Sequence, residues 1–513
     1  MKLHPNTSKC LTTCNICHWR FKRFVAIFVL TAFFSSLLSF IAPGYSHALI
    51  SNVQEKKMGE KFIKVARKRF NFIEDDEIVK YINDVGHHIV NSLPNPLPYN
   101  FRFYVIDNSI PNAFAVPGGY IFVHRGIIEI MDNEGEIASI LAHEIGHIQA
   151  RHIAKRIERS KFLNIAMLAG MLAGMFLGGG AASQALIRGS MATNMSMQLQ
   201  HSRQDEREAD HRGMENLVRA GYDPQCMYDA MKKVWNNKWQ SGVDIPDYLS
   251  THPGLGERLV YIQGLVQVKK KVVGLYRSNR RKGQELFPFI NAILWGKYHD
   301  MQAAEYHFRS LIARGDVDGS AHLGLALVFE REGKITESIT SLEKALQEKP
   351  NSPLLLTSLA RLYFKANNTG KSLELLGKAI KIDHHFREAY YRLGRCYEEL
   401  GQNRLALENF KKALGMGYKT PQLKYHMGIV YGRLKQLAPA HEYLGFYYAD
   451  KERPNTKLAL YHLEKALKLY EGNQSHVEVI EDKIREIKGE EKEKTGKTKK
   501  GFYLPGSSRY HYF

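Results

Sequence analysis

The sequence predicts two fold classes in one chain: an α+β domain, mostly helical with a small β-sheet, followed by an all-α solenoid of tetratricopeptide repeats. Three observations predict this. Short β-like runs broken by Pro and Gly sit between helical stretches in the first half. Small and aromatic residues recur every 34 positions in the second half. The change of character falls near residue 285, in a chain of 513 residues with room for two or three domains. With 44% hydrophobic and 24% charged residues, the composition suits a folded globular protein.

Residues 1–48 read as a secretory signal peptide. Basic HWRFKR (18–23) precedes the apolar run 24–42, Pro43 and Gly44 break the helix, and the small-x-small triplet Ser46-His47-Ala48 follows, so cleavage is expected after Ala48. The run is long for a signal peptide, and an uncleaved membrane anchor over 24–42 is the alternative. Either way the body of the protein is exported, with the periplasm as the expected compartment once the resemblance below is taken in. Cys10, Cys14 and Cys17 have a spacing seen in metal sites, but they lie in the leader with no domain around them, and coincidence is the reading. Cys226 and Cys396 remain. A disulfide is open to them in an oxidising compartment, but Cys396 falls at a helical position on a buried side, so two buried thiols are the default. The formal net charge is +20, five of it in residues 1–48. No nucleic-acid motif accompanies that charge, so it favours negatively charged surfaces, and peripheral membrane contact is open to it.

Residues 49–75 are charged and helical. FRFYVIDNSIPNAFAVPGGYIFVHRGII (101–128) breaks into short strands around Pro and Gly. Asn133 is then an N-cap, with acids in the first turn of a helix that carries LAHEIGHIQARH (141–152). His143 and His147 are four apart, hence one turn apart on one face, with Glu144 at its edge. This is H-E-x-x-H: two imidazoles to bind zinc and a carboxylate to take a proton from water. A solvated helix that matches by chance is the bland alternative, and a third ligand decides between them. SRQDEREADHRG (202–213) supplies one. Glu206 and Asp210 share a face of a second helix; Glu206 would complete a two-histidine, one-glutamate site with an open position for water. Asp210 would hydrogen-bond the far nitrogen of a ligand histidine. One Zn2+ per chain is the expected cofactor, in a zincin-type metallopeptidase domain over residues 49–270.

The segment 162–187 holds 26 residues without a charge. A single membrane crossing there would put Glu206 on the opposite side from His143 and His147, and two crossings need roughly 40 residues. A metal centre therefore excludes a span and leaves a lid over the cleft, a dip into a membrane face, or a buried helix. Over 285–470, Leu359-Ala360, Leu393-Gly394 and Met427-Gly428 recur at 34 residues, as do Tyr363, Tyr397, Tyr431 and Ala345, Ala379, Ala413. Leu323-Gly324 opens an earlier copy, and Ala406 and Phe410 fit the tetratricopeptide pattern, against which a generic helical bundle is the alternative. Stacked repeats offer a concave face to a protein or peptide. Residues 486–513 are lysine-rich with few apolar side chains and are expected to be disordered.

HEIGH, E-R-E-A-D (206–210) and the THP loop (251–253) together resemble the HtpX and CAAX-prenyl-protease type of zinc metallopeptidase, and NAFAVPGGYIFVHRG (112–126) is similar as well. With the leader and the repeats, the chain looks like the BepA/YfgC branch, periplasmic peptidases of Gram-negative bacteria, over nearly all of its length after residue 48. The resemblance implies zinc ligands at His143, His147 and Glu206, and a catalytic glutamate at Glu144. It implies that His252 reaches the zinc and holds the enzyme quiet until a substrate displaces it; the sequence alone shows only a polar loop residue before a proline. It also implies misassembled outer-membrane proteins as substrates, and the outer-membrane β-barrel assembly machinery as the partner of the repeats.

Chemistry then points to metal-assisted peptide hydrolysis with Glu144 as the base. The stretch from Asn112 through Gly118 and Gly119 would provide an edge strand for an extended substrate, the glycines allowing close backbone approach; a plain turn at the glycines is the alternative. The expected function is an exported zinc endopeptidase that degrades misfolded or stalled proteins. An assembly chaperone acting through its repeats, with a largely silent metal site, is the competing class.

Overall fold

A computed structural model describes residues 50–159, 202–240, 248, 251–315, 318–450, 455–470 and 473–499. Both long apolar runs, 24–42 and 162–187, and residues 500–513 lie outside them. Among the described residues no helix is long and apolar enough to cross a membrane.

The first half wraps helices around a three-stranded sheet. Helix α1 (Asn52–Ala66) opens on a capping box between Ser51 and Gln54. Helix α2 (Asp76–Asn91) is capped by Asp75 and lays Ile78, Ile82, Val85 and Ile89 on the core at helical spacing. Its Gly86 lies beneath the Phe103 ring, an approach that any side chain would block. Strand β1 (Arg102–Ile106) runs parallel to β3 (Tyr120–His124), and β2 (Ala113–Val116) runs antiparallel to β3, in the order β1-β3-β2. That order leaves β2 at an edge. Pro117, Gly118 and Gly119 turn the chain between β2 and β3. Both glycines need positive φ, 91° and 90°, and a Cβ on Gly118 would stand 2.9 Å from the Glu55 carbonyl oxygen.

After the short helix α3 (Arg125–Glu129), helix α4 (Glu134–Gln149) starts at Asn133, whose side chain accepts the Glu136 N–H at 3.1 Å. It is buried from Glu134 to Ile148, so it is the central helix of the domain. Helix α5 (His152–Arg159) follows it, and α6 (Arg203–Arg219) begins with a Ser202–Asp205 capping box. Two glycines let α4 and α6 touch backbone to backbone. A Cβ on Gly146 would meet the Ala209 carbonyl oxygen at 2.8 Å, and one on Gly213 would meet His143 Cα at 2.9 Å. Helices α7 (Gln225–Gln240) and α8 (Leu255–Lys269) complete the domain.

The second half is a run of antiparallel helix pairs: α9 (Phe287–Tyr298) with α10 (Met301–Ala313), α11 (Ser320–Arg331) with α12 (Ile335–Glu348), α13 (Pro353–Lys365) with α14 (Thr369–Ile382), α15 (Arg387–Glu399) with α16 (Asn403–Gly415), and α17 (Pro421–Arg433) with α18 (Leu437–Asp450). Ala345, Ala379 and Ala413 are fully buried where helices cross. Gly324 and Gly394 lie against the rings of Phe308 and Phe410.

Two expectations need correction. The array continues past 470: α19 (Thr456–Leu469) pairs with α20 (Gln474–Lys499), and Ile480 and Ile484 are buried between them. Residues 486–499, expected to be disordered, continue that helix; the apolar pair upstream anchors it, and Lys488 reaches Glu464 at 3.1 Å. The default reading of two thiols stands, since Cys226 and Cys396 are both free. Cys396 is buried beside Ser372, while Cys226 is half-buried against Gly135.

The halves share one buried apolar cluster, and charge pairs cross between them as well. The acidic start of α2 holds the repeats: Asp75 pairs with Lys297 at 2.5 Å, and Asp76 takes Arg387 in a two-pronged pair at 2.8 Å. Trp295 is stacked between His299 (3.7 Å) and His307 (4.1 Å), and His299 Nε2 lies 2.9 Å from Glu129 on α3.

Candidate metal centre

Helix α4 brings His143 and His147 to one face because they are one turn apart, and the glycine contact brings α6 close enough for Glu206 to face them. His143 Nε2 is 3.1 Å from His147 Nε2. Glu206 stands 3.5 Å from the first and 3.4 Å from the second. His252, just before α8, enters the same group: its Nδ1 lies 3.1 Å from Glu206 and 3.4 Å from His143 Nε2. All four side chains are buried.

Four donors around one zinc at ordinary bond lengths stand roughly 3.4 Å apart. Five of the six separations, at 3.1–3.5 Å, are of that size, and three imidazoles with one carboxylate are a donor set suited to zinc. The residues therefore fit a tetrahedral ion. With His252 included, the set is closed.

Around these four, further side chains fix the geometry. Asp210, one turn beyond Glu206, puts Oδ1 3.0 Å from His143 Nδ1. On the other histidine of the motif, His147 Nδ1 meets His152 Nδ1 at 2.9 Å, and His152 Nε2 meets Glu208 at 3.2 Å. Arg258 of α8 donates from Nη1 to Glu206 (2.5 Å), from Nη2 to Asp210 Oδ1 (2.7 Å) and from Nε to its other oxygen (2.8 Å). Tyr261 donates its hydroxyl to Asp210 as well, and the Tyr248 ring stacks on His252 at 4.5 Å.

Burial and charge oppose each other at Glu206, Asp210, His143, His147 and Glu144. Burial alone would neutralise Glu206, but His252, Arg258 and His147 hold it well below the usual carboxylate range. Asp210 is lowered in the same way, chiefly by Arg258 and His143. Burial pushes His147 down to about 3, which keeps it in the neutral, ligating form. Against burial, hydrogen bonds with Asp210 and Glu206 carry His143 up to about 9. Burial raises Glu144, and His252, His143 and the Ala115 N–H partly relieve it. Neither Glu144 oxygen has a hydrogen bond of ordinary geometry; His252 Nε2 is 3.4 Å away. A buried carboxylate of raised pKa, next to a metal-sized ring of donors, is suited to taking and returning a proton.

The edge strand reaches the same place. The Ala113 carbonyl oxygen lies 3.4 Å from His252 Nε2, and the Ala115 N–H is turned to Glu144. Asn112, at the head of β2, is buried with its Oδ1 unpartnered. Gly118 and Gly119 are not part of this group. They form the turn at the far end of β2, against Glu55 and Tyr99, and the chain's own backbone fills the space beside Gly118. Arg258, Tyr261 and Tyr248 escape a reading of the sequence, since no short spacing ties them to the motif; His152 lies in the stretch 141–152 but received no role there. The one signal is Arg258 itself, a buried arginine six residues after His252 on a helix whose buried face is otherwise apolar.

Comparison with known proteins follows the same division of the chain. Residues 79–266 match Peptidase family M48, and residues 299–353 and 388–416 match tetratricopeptide repeats. A beta-barrel assembly-enhancing protease of Yersinia pestis is 27% identical over 367 residues, covering 64% of this chain and 74% of that protein. The protein of the same name in Escherichia coli is 27% identical over 360 residues, 63% of this chain and 73% of its own length. The mitochondrial metalloendopeptidase OMA1 of Arabidopsis thaliana is 30% identical over 185 residues, 35% of this chain and 34% of that protein. The chain thus carries a family M48 metallopeptidase domain followed by tetratricopeptide repeats.

Proposed function

From a metallopeptidase domain joined to tetratricopeptide repeats, we propose an exported, latent zinc endopeptidase that cleaves misfolded or stalled proteins during outer-membrane protein assembly. The observation that carries this reading is the closed set of four buried donors, His143, His147, Glu206 and His252, with Glu144 buried beside it and facing His252 at 3.4 Å. One zinc ion per chain would be held by His143, His147 and Glu206. When bound, the ion supplies an electrophile for the scissile carbonyl and an acidified water.

The chain's own residues do the rest. Glu144 takes the proton of the attacking water and returns it to the leaving nitrogen. Asp210 keeps the His143 ring oriented, and Arg258 keeps Glu206 and Asp210 ionised. An extended substrate pairs with β2 through the Ala113 carbonyl and the Ala115 N–H, both now turned to His252 and Glu144. His252 must leave for that pairing to form, so it acts as the latch. Unfolded chain fits such an edge; folded protein does not.

The export reading rests on the signal-like order of residues 18–48, and the periplasm as compartment rests on the resemblance to a periplasmic branch of peptidases. The assembly role rests on relatives named for β-barrel assembly, and under it the repeats dock on the outer-membrane β-barrel assembly machinery. The closed donor set also favours a second reading, a scaffold whose metal site is silent. Casein cleavage by the chain carrying His252→Ala separates them, with His252→Ala/Glu144→Gln as control and metal content measured in both. Cleavage that vanishes with Glu144→Gln while zinc stays bound supports the peptidase. Zinc-loaded chain without cleavage favours the scaffold.

A further inference from the structure

The outer face of α8 carries a surface that the metal centre does not use. Inward, α8 presents Arg258 to Glu206 and Asp210 and buries Ile262 and Val266. Outward, Val260, Gly264 and Val268 follow one another at a spacing of four, and Val272 and Leu275 continue the line into the 3-10 turn Val273–Asn279. Val260 is 75% exposed, Val268 61% and Leu275 77%. A Cβ on Gly264 would meet nothing within 4 Å, so the line is not covered at its middle.

Beyond Glu257, the charge that the chain carries along this line has one sign. Between Glu257 and Glu285 the chain contains eight Lys or Arg residues and no acid. Arg258 and Arg281 are engaged by buried carboxylates, the latter by Glu134. Lys270, Lys271, Arg277, Arg280 and Lys282 are exposed, and among the described residues none of the five forms an ion pair. Lys270 and Arg280 reach only the neutral side chains of Gln225 and Gln284.

We propose that this face docks on an anionic phospholipid surface. Val260, Val268, Val272 and Leu275 enter the headgroup layer while the five cations sit at the phosphates. A line of exposed aliphatic side chains interleaved with unpaired cations, with no acid among them, is the composition of an interfacial element. An acidic protein partner would be met by the cations alone and would leave the exposed aliphatic line without a role. The contact is peripheral, since no described helix crosses a bilayer. One consequence concerns the reaction. The same helix clamps Glu206 and Asp210 on its inner face, so docking sets the metal centre on the order of one helix diameter, roughly 10 Å, from the lipid. Substrates stalled at a membrane surface would meet it there.

The test is sedimentation of the exported chain, from residue 49, with vesicles of phosphatidylcholine mixed with phosphatidylglycerol or of phosphatidylcholine alone. Catalysis plays no part, so the result stands whether or not the peptidase reading holds. The expected result is binding to the acidic vesicles only, weakening with salt. Lys270→Glu/Lys271→Glu is expected to lower that affinity by about tenfold or more. Val268→Asp, at an exposed position, is expected to lower it too, with the unfolding temperature unchanged in both variants. Lys381→Glu/Lys419→Glu, the same charge change on the repeats, is expected to leave binding intact. Failure to bind acidic vesicles overturns the proposal. So does equal loss in the repeat variant, or binding that ignores the α8 changes.

Discussion

Where α4, α6 and α8 meet, the peptidase domain buries His143, Glu144, His147, Glu206, Asp210, His252 and Arg258 against one another. The repeats bury alanine, glycine and leucine at their helix crossings, and keep their carboxylates where one copy meets the next. The first region is held by compensation of charge, in which each group is tolerable only while its partners stay. The second is held by fit of volume, in which each small residue is needed only because a ring or a backbone lies opposite. Damage should therefore spread differently: through partners in the metal centre, through space in the repeats.

The largest expected effect breaks the charge side. Arg258→Ala leaves Glu206 and Asp210 buried without their cation, and removing one partner of such a set costs about 3–5 kcal/mol. Denaturant unfolding should show that loss in the peptidase domain, with weakened zinc binding beside it. A loss below about 1 kcal/mol would mean that the histidines alone compensate the carboxylates, and the contrast with the repeats would fail.

How far each region was legible in the sequence follows from the same contrast. His143, His147, Glu206 and Asp210 are tied by spacings of four on helices, and the 34-residue period ties Leu359, Leu393 and Met427. Both are short rules that a linear reading can apply. Arg258 obeys no such rule: its role exists only after α8 folds across α6. The parallel pairing of β1 with β3, with β2 displaced to the edge, is likewise non-local. For Gly118 and Gly119 the sequence left two readings open, close approach of a substrate or a plain turn, and the fold sets them in a turn of positive φ against Glu55 and Tyr99. The helix over 486–499 was illegible because its composition is that of a solvated tail, and the two isoleucines that hold it, Ile480 and Ile484, lie upstream.

A second prediction tests the repeats where they do bury charge. Glu330 accepts from Arg361 and Lys365 of the next copy. Burial opposes its ionisation, but those two cations bring its pKa down to about 2. A carboxyl group with a depressed folded-state pKa stabilises the fold fully above its ordinary value near 4.5, and that stability is lost as pH falls from there toward 2. Glu330→Gln is expected to cost about 3 kcal/mol at neutral pH and almost nothing near pH 2. The check is unfolding free energy against pH for both chains. A difference that stays constant with pH would show that the side chain acts by volume, like its neighbours.

The smallest effects sharpen the volume side, and two glycines of adjacent helices make the measurement clean. Gly394 in α15 faces Phe410, where a Cβ would stand 2.5 Å from the ring. Gly377 in α14 has nothing within 4 Å of an added Cβ. Both are inside helices, so alanine should favour each by the same intrinsic amount, about 0.5–1 kcal/mol. Only at Gly394 must the neighbouring ring shift, which costs about 1–3 kcal/mol. Gly377→Ala should therefore raise the unfolding temperature slightly and Gly394→Ala should lower it. If both variants moved the same way, the repeats would not be governed by fit at their crossings, because the two sites differ in little but the ring opposite.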